Sequence, residues 1–232
     1  MRQNIYSSKI FAITFFYITA IIIRYYFTIE KPDFLFVISN GLLYNILTGI
    51  GPFIGSIVAI YILGRKTIYS SFGKSAIKSI VCFLLPIFLF FLFDMTNKDS
   101  SFTCTQIVIT CLVYAYLEEY GWRGYLQSEL INLHKIIRIS IITILWFVWH
   151  LNYDLSMENA FFFALLFFGS WGIGQIAIKS NSIIVCACFH SIINIMQNIN
   201  LTIKTLIILV ISITLWCLLW YYNWRKMETL TH

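Results

Sequence analysis

Apolar runs of roughly 20 residues recur along the whole chain, and only short polar intervals separate them. The chain is 59% hydrophobic and 11% charged, whereas a soluble domain has about 25% charged residues. A helix of that length crosses the hydrocarbon core of a bilayer, so the chain is expected to cross a membrane several times. The predicted fold class is an all-α polytopic membrane protein, with about eight transmembrane helices around a polar intramembrane cavity. Residues 1–232 are expected to form a single integral membrane domain.

Eight helices are predicted from the apolar runs. Their approximate bounds are 9–28, 36–63, 77–94, 104–130, 137–155, 160–178, 182–200 and 203–222. The second is longer than a simple span and contains Gly51 and Pro52. A break or a short re-entrant stretch is expected there, because proline lacks a backbone donor and glycine tolerates unusual dihedral angles.

The charges divide between alternate loops. With the N-terminus inside, the inner segments hold Arg2, Lys9, Arg65, Lys66, Lys74, Lys78, Lys135, Arg138, Lys179, Arg225 and Lys226, whereas most outer charges are acidic. This separation follows the positive-inside rule and predicts that both termini are cytoplasmic. The net charge of +6 then comes from the inner loops, so membrane lipids are expected partners and nucleic acid is not.

Six cysteines lie in or beside the apolar runs, and none forms a CxxC pair. They are expected to be free thiols that pack as small apolar side chains rather than a disulfide framework or a zinc ribbon. Arg24 lies near the end of the first span, where its long side chain is expected to reach the interface.

Several polar side chains lie inside the predicted spans, where such groups are costly and are usually functional. They are Glu118, Glu119, Arg123, His150, His190 and Asn194. Their joint occurrence on three hydrophobic helices is hard to explain as packing alone, and it predicts one buried polar cavity.

Spacing indicates which of these groups face together. Glu119 and Arg123 are four residues apart, so they share a helix face and are expected to pair. Glu118 is rotated about 100° from Glu119 and is therefore expected to face the cavity. His190 is also four residues before Asn194, which places these two side chains on one face.

This set of residues predicts chemistry at an acyl carbon. A glutamate beside a histidine in a dry pocket can deprotonate a water molecule, and a second histidine with an asparagine can stabilise an oxyanion. Alternatively, Glu118, His150 and His190 could hold zinc or another divalent metal ion. The chain has no HExxH motif, which favours a reaction without a cofactor, but both mechanisms stay open at this stage.

Three motifs resemble those of the CPBP intramembrane proteases, also called the Abi or type II CAAX prenyl endopeptidase family. EEYGWR (118–123) matches EExxxR and HSIIN (190–194) matches HxxxN. WFVWH (146–150) is similar to FxxxH, with Trp146 in place of the usual phenylalanine. GPFIG (51–55) is similar to an upstream Gly-Pro stretch of the family.

The resemblance implies a role for each matching residue. Glu118 would activate the water with His150 as its partner, and His190 and Asn194 would bind the oxyanion. These four are the candidate catalytic residues.

The two remaining motif residues, Glu119 and Arg123, would orient the site in a supporting role. The resemblance covers roughly residues 45–200, which would be the catalytic core, and it implies a bundle of about eight helices. It also implies an integral protein of a bacterial cell membrane. Bacterial members of the family are linked to bacteriocin self-immunity, peptide maturation and membrane-protein processing.

The resulting functional prediction is an intramembrane endopeptidase that hydrolyses a hydrophobic or lipidated peptide or protein. Two alternatives use the same cavity. One is an acyl-transfer enzyme that modifies lipoproteins, in which an amine replaces water as the acceptor. The other is a non-proteolytic immunity or scaffold protein that binds a membrane protein partner.

Overall fold

The computed structural model describes residues 2–33, 42–96 and 103–228. Its α-helices are α1 (Arg2–Tyr25), α2 (Leu42–Thr48), α3 (Ile50–Ile57), α4 (Ala76–Thr96), α5 (Thr103–Glu119), α6 (Lys135–Trp149), α7 (Met157–Ser180), α8 (Ile183–Asn198) and α9 (Ile203–Glu228). Helices α1, α3 and α5 each continue into a π-helical stretch, and these are Tyr26–Glu30, Val58–Ile62 and Tyr120–Gln127. These described residues contain no extended strand, and the all-α prediction is confirmed.

Four helical stretches of the described residues are long and apolar enough to cross a membrane. They are Ser8–Glu30, Ala76–Thr96, Met157–Ser180 and Ile203–Trp220. Two shorter apolar stretches, Ile50–Ile62 and Ile183–Asn198, accompany them. The chain is therefore an integral membrane protein of the polytopic class, as the apolar runs predicted.

Each of the eight predicted helices has a counterpart, but several boundaries differ. Helix α1 begins at Arg2 rather than at residue 9, and α9 ends at Glu228 rather than at residue 222. The second is divided at Gly49, between α2 and α3, close to the break predicted at Gly51-Pro52, and its first residues lie outside the described ranges. The fifth was predicted to reach residue 155, and that is wrong, because α6 ends at Trp149. Leu151 has a φ of 58°, a left-handed conformation that cannot continue an α-helix.

Small residues bring α1 and α3 into close contact. A Cβ atom at Gly51 would come within 2.5 Å of the Ala20 carbonyl oxygen, and one at Gly55 within 2.6 Å of the Phe16 carbonyl oxygen. Glycines four residues apart let two helix backbones approach in this way. The GPFIG stretch therefore acts in this protein as a packing surface for α1.

Helix α5 lies centrally and packs against α8 and α4, and it also contacts α2 and α3. Helices α6 and α7 pack against each other beside it. All six cysteines lie in the described part of the chain and are free, and four of them are buried, in agreement with the prediction. This arrangement brings the ends of α5 and α6 and the middle of α8 together around the polar residues.

Candidate active site

Glu118 is placed at the end of α5, where its side chain is 1% exposed. Its Oε2 accepts a hydrogen bond of 2.8 Å from the indole Nε1 of Trp146 on α6. Its Oε1 has no hydrogen-bond partner among the described residues. One oxygen is thus fixed by the neighbouring helix and the other remains available for a proton or a water molecule.

Glu119 links two helices through one oxygen. Its Oε1 accepts from Arg123 Nη1 at 3.1 Å and from His190 Nδ1 on α8 at 2.8 Å. Glu119 and Arg123 are both fully buried, and the pairing expected from their spacing is confirmed. The guanidinium of Arg123 also lies 4.5 Å from the ring centre of Trp146, so Glu119 and Arg123 together support the rings of the site.

The backbone after Glu119 is π-helical, over Tyr120–Gln127. Wider turns of this kind occur frequently at functional sites. At the start of this stretch Gly121 is in close contact with Pro52 of α3. A Cβ atom at Gly121 would come within 2.5 Å of the proline ring. The Gly-Pro stretch and the acidic motif are therefore in direct contact, which the sequence did not reveal.

His150 lies at the C-terminal cap of α6. Its Nδ1 is 2.8 Å from the carbonyl oxygen of Trp146. Because that carbonyl can only accept, Nδ1 carries the proton and Nε2 is left as the basic nitrogen of the neutral ring. The ring packs edge-on against Trp149 and Phe162, which fixes its orientation.

Trp146 is the centre of the site. Its ring centre lies 5.2 Å from that of His190 and 6.1 Å from that of His150, and it also binds Glu118. The predicted convergence of both imidazoles near Glu118 is therefore observed. A direct hydrogen bond between Glu118 and His150 is absent among the described residues, and Trp146 connects them instead.

A cavity of about 510 Å³ opens beside this cluster. His150, His190 and Asn194 all line it, as does Trp146. Asn194 Nδ2 is buried and has no hydrogen-bond partner among the described residues. Glu118 was expected to face the cavity, but it lies behind the lining side chains and is not one of them.

Two further residues of the site were missed by sequence reasoning. Arg24 was expected to reach the interface, but it turns inward and lines the cavity, with its guanidinium 4.5 Å from the ring centre of Trp149. Tyr114 on α5 also lines the cavity, and its side chain interacts with both Glu118 and Arg24. The presence of an arginine within an apolar run was the signal for the first; nothing singled out Tyr114.

The three side chains predicted from the sequence as possible metal ligands are Glu118, His150 and His190. In residues 2–33, 42–96 and 103–228, no three His, Cys, Asp or Glu side chains are grouped to hold a metal ion. Trp146 engages one polar atom of Glu118 and one of His150, and Glu119 engages Nδ1 of His190. Glu118 Oε1 and the two Nε2 atoms are the donors left for a metal ion, and the metal alternative stays a prediction.

The chain was compared with known proteins. Residues 99–196 match the family model described as Type II CAAX prenyl endopeptidase Rce1-like. The predicted family resemblance is confirmed. The matched segment contains the EExxxR, FxxxH-like and HxxxN motifs, and thus all six predicted site residues.

A curated relative is lysostaphin resistance protein A from Staphylococcus haemolyticus (strain JCSC1435). The two are 26% identical over 167 residues, which covers 62% of this chain. The match spans 46% of the relative, so the chain corresponds to about half of that protein's length. No solved structure matches the chain.

Proposed function

We propose that this protein is an intramembrane endopeptidase that hydrolyses a hydrophobic or lipidated peptide or protein. The Rce1-like match supports a CAAX-type peptidase at the family level. The observation that supports the finer proposal is the cluster around Trp146, in which His150 and His190 line the cavity and Glu118 lies directly behind them, bonded to the Trp146 indole.

Glu118 and His150 would activate the attacking water together. The imidazole lines the cavity with its Nε2 as the basic nitrogen, and the carboxylate of Glu118 would stabilise the imidazolium that forms when the water loses its proton. The water oxygen forms a bond to the carbonyl carbon of the peptide as the pair takes its proton. When the tetrahedral intermediate collapses, the same proton passes to the leaving amine and the C–N bond breaks.

His190 and Asn194 would stabilise the oxyanion of that intermediate. Asn194 Nδ2 is a donor without a partner among the described residues, at the cavity wall. His190 is held through Nδ1 by Glu119, so its protonated form would direct an Nε2–H toward the cavity. Donors fixed in advance in a site of low dielectric constant stabilise a developing charge without reorganisation.

The cavity supports an apolar substrate. Besides its few polar groups, its wall contains Phe162, Leu165, Ile173 and Phe189. An aliphatic or prenyl-like chain would be solvated by these side chains as lipid solvates it. Substrate therefore reaches the site from the bilayer in this proposal, and membrane lipids are its surroundings.

The test is peptide processing in membranes that contain the native protein, Glu118→Gln, His150→Ala or Glu129→Gln. Glu129→Gln is the matched control, because Glu129 is also a buried glutamate but pairs with Arg65 away from the site. Mass spectrometry should find truncated peptides with the native protein and with Glu129→Gln, and at least about 100-fold fewer with the other two. Equal processing by all four proteins would exclude this mechanism.

A second candidate function comes from the name of the curated relative, which is a resistance protein. In this proposal the chain protects the cell by binding a membrane partner, without proteolysis. Protection against lysostaphin that persists in Glu118→Gln and His190→Ala would favour it. An added acyl mass on membrane lipoproteins, in place of truncated peptides, would indicate acyl transfer instead.

A further inference from the structure

The cavity wall has positive charge and no acidic residue. Arg24 from α1 lines it together with His150 and His190, and no aspartate or glutamate is among the lining residues that the structure describes. Arg24 lies outside the segment 99–196 that matches the protease family. It is therefore a feature of this chain that the family motifs do not explain.

Arg24 forms no ion pair with a carboxylate in the part of the chain that the structure describes. Its Nη1 donates to the carbonyl oxygen of Thr48 at 3.0 Å, and its guanidinium stacks on Trp149. Its Nε is buried and has no hydrogen-bond partner within the described ranges. The ion pairs found among those residues involve Arg65, Arg123 and His190 and do not include Arg24.

A cation at membrane depth usually pairs with an anion or marks a path for a polar ligand. Stacking on Trp149, the Thr48 carbonyl and the Tyr114 side chain position the guanidinium, and none of these three groups carries a negative charge. The planar group of arginine suits a carboxylate, to which it donates two parallel hydrogen bonds. We infer that Arg24 binds the free C-terminal carboxylate of the peptide substrate; this inference rests on the proposed function.

A peptide suits the rest of this wall. Asn45, Asn194, Gln197 and Asn198 also line the cavity, and each amide can both donate and accept hydrogen bonds, as a peptide backbone requires. A lipid phosphate would satisfy the arginine but would leave these amides without a matching partner. Tyr114 interacts with both Arg24 and Glu118, so the bound carboxylate would lie close to the bond that is cleaved.

The experiment measures binding separately from hydrolysis. Glu118→Gln protein is placed in phosphatidylcholine nanodiscs and titrated with two dansylated nonapeptides. The two peptides share one Ala/Leu sequence and differ only at the C-terminus, which is a free acid in one and an amide in the other. The acid should bind at least about tenfold more tightly, as expected for a charge-assisted bidentate contact. Equal affinities, or no measurable binding of either peptide, would overturn the inference.

Variants assign the preference to Arg24. Adding Arg24→Gln should reduce the acid-to-amide ratio to about one, whereas Arg24→Lys should keep part of it because the charge remains. Lys135→Gln is the matched control, since Lys135 also lies over a tryptophan, Trp171, but does not line the cavity. Retention of the full ratio by Arg24→Gln would overturn the inference. The inference would also be overturned if the protein with native Arg24 lost its preference for the acid peptide in phosphatidylglycerol nanodiscs. That result would assign Arg24 to a lipid phosphate.

The two proposals fail in different ways. If protein with native Glu118 cleaves neither peptide while the binding ratio depends on Arg24, the peptidase proposal fails and the carboxylate site stands. If both peptides are cleaved with equal kcat/KM and bound equally, the peptidase proposal stands and the carboxylate site fails. The melting temperature of each variant is measured first, so that a loss of folding is not taken for a loss of binding.

Discussion

The indole Nε1 of Trp146 donates a 2.8 Å hydrogen bond to Oε2 of Glu118. Both side chains are buried. The family motif that WFVWH resembles has phenylalanine at this position, and a phenyl ring cannot donate. The hydrogen bond that fixes Glu118 therefore depends on the tryptophan that this protein has in place of the usual phenylalanine.

Replacement of Trp146 by phenylalanine tests that bond. Trp146→Phe should still fold, because an aromatic ring is retained, but Glu118 would lose the 2.8 Å hydrogen bond that fixes its Oε2. A hydrogen bond to a charged group contributes about 1.5–3 kcal/mol, so peptide cleavage should fall about 10- to 100-fold. The measurement is kcat/KM in nanodiscs, with Trp216→Phe as control, because the Trp216 indole donates to the Cys82 carbonyl and does not line the cavity. Unchanged kcat/KM in Trp146→Phe would contradict the assigned role.

The buried Glu119–Arg123 pair should be sensitive to the loss of one partner alone. Glu119→Gln leaves Arg123 charged in a fully buried position, and breaking such a pair costs about 3–5 kcal/mol. Glu119→Gln combined with Arg123→Met should cost less than the two single changes added together. Thermal unfolding in detergent measures this.

The Arg65–Glu129 pair provides the comparison. Its arginine side chain is 22% exposed, so water screens the charges and Glu129→Gln should cost about 1 kcal/mol or less. If Glu129→Gln lowered the free energy of unfolding as much as Glu119→Gln does, burial would not explain the larger cost of breaking the Glu119–Arg123 pair.

The contact of Gly121 with Pro52 predicts intolerance to a single methyl group. In Gly121→Ala the new Cβ would lie 2.5 Å from the proline ring and 2.6 Å from its carbonyl oxygen. One of the two segments must shift, at a cost of about 1–3 kcal/mol. Gly172→Ala is the matched control, because a Cβ there meets no atom within 4 Å. Equal melting temperatures for the two variants would show that the contact is not tight.

Local sequence patterns were sufficient for part of the site. The pairing of Glu119 with Arg123 follows from a separation of four residues on one helix, and the helices follow from the apolar runs. The bond from Trp146 to Glu118 joins α6 to α5, so it depends on how two helices pack, and spacing along one helix contains no such information. The motif positions indicated which helices meet but not which atoms.

The inward position of Arg24 was missed for a similar reason. An arginine near the end of a span is expected at the interface when only its own helix is considered. Here Thr48 and Trp149, from α2 and α6, hold its guanidinium inside the bundle. The end of α6 was predicted too late because residues 150–155 contain no glycine or proline that would mark it, whereas Leu151 leaves the helix through its left-handed backbone conformation.

Tyr114 is expected to support catalysis through its hydroxyl group, which lies between Arg24 and Glu118. Tyr114→Phe should lower kcat/KM about tenfold, because both charged groups lose a polar neighbour in a site of low dielectric constant. Tyr125→Phe is the matched control: the Tyr125 hydroxyl is buried and has no hydrogen-bond partner among the described residues, so its removal should leave activity unchanged and should not lower the melting temperature. The two variants differ from the native protein by one oxygen each. If both lost activity equally, the effect would reflect general packing of the aromatic core, and Tyr114 would have no separate role in the chemistry.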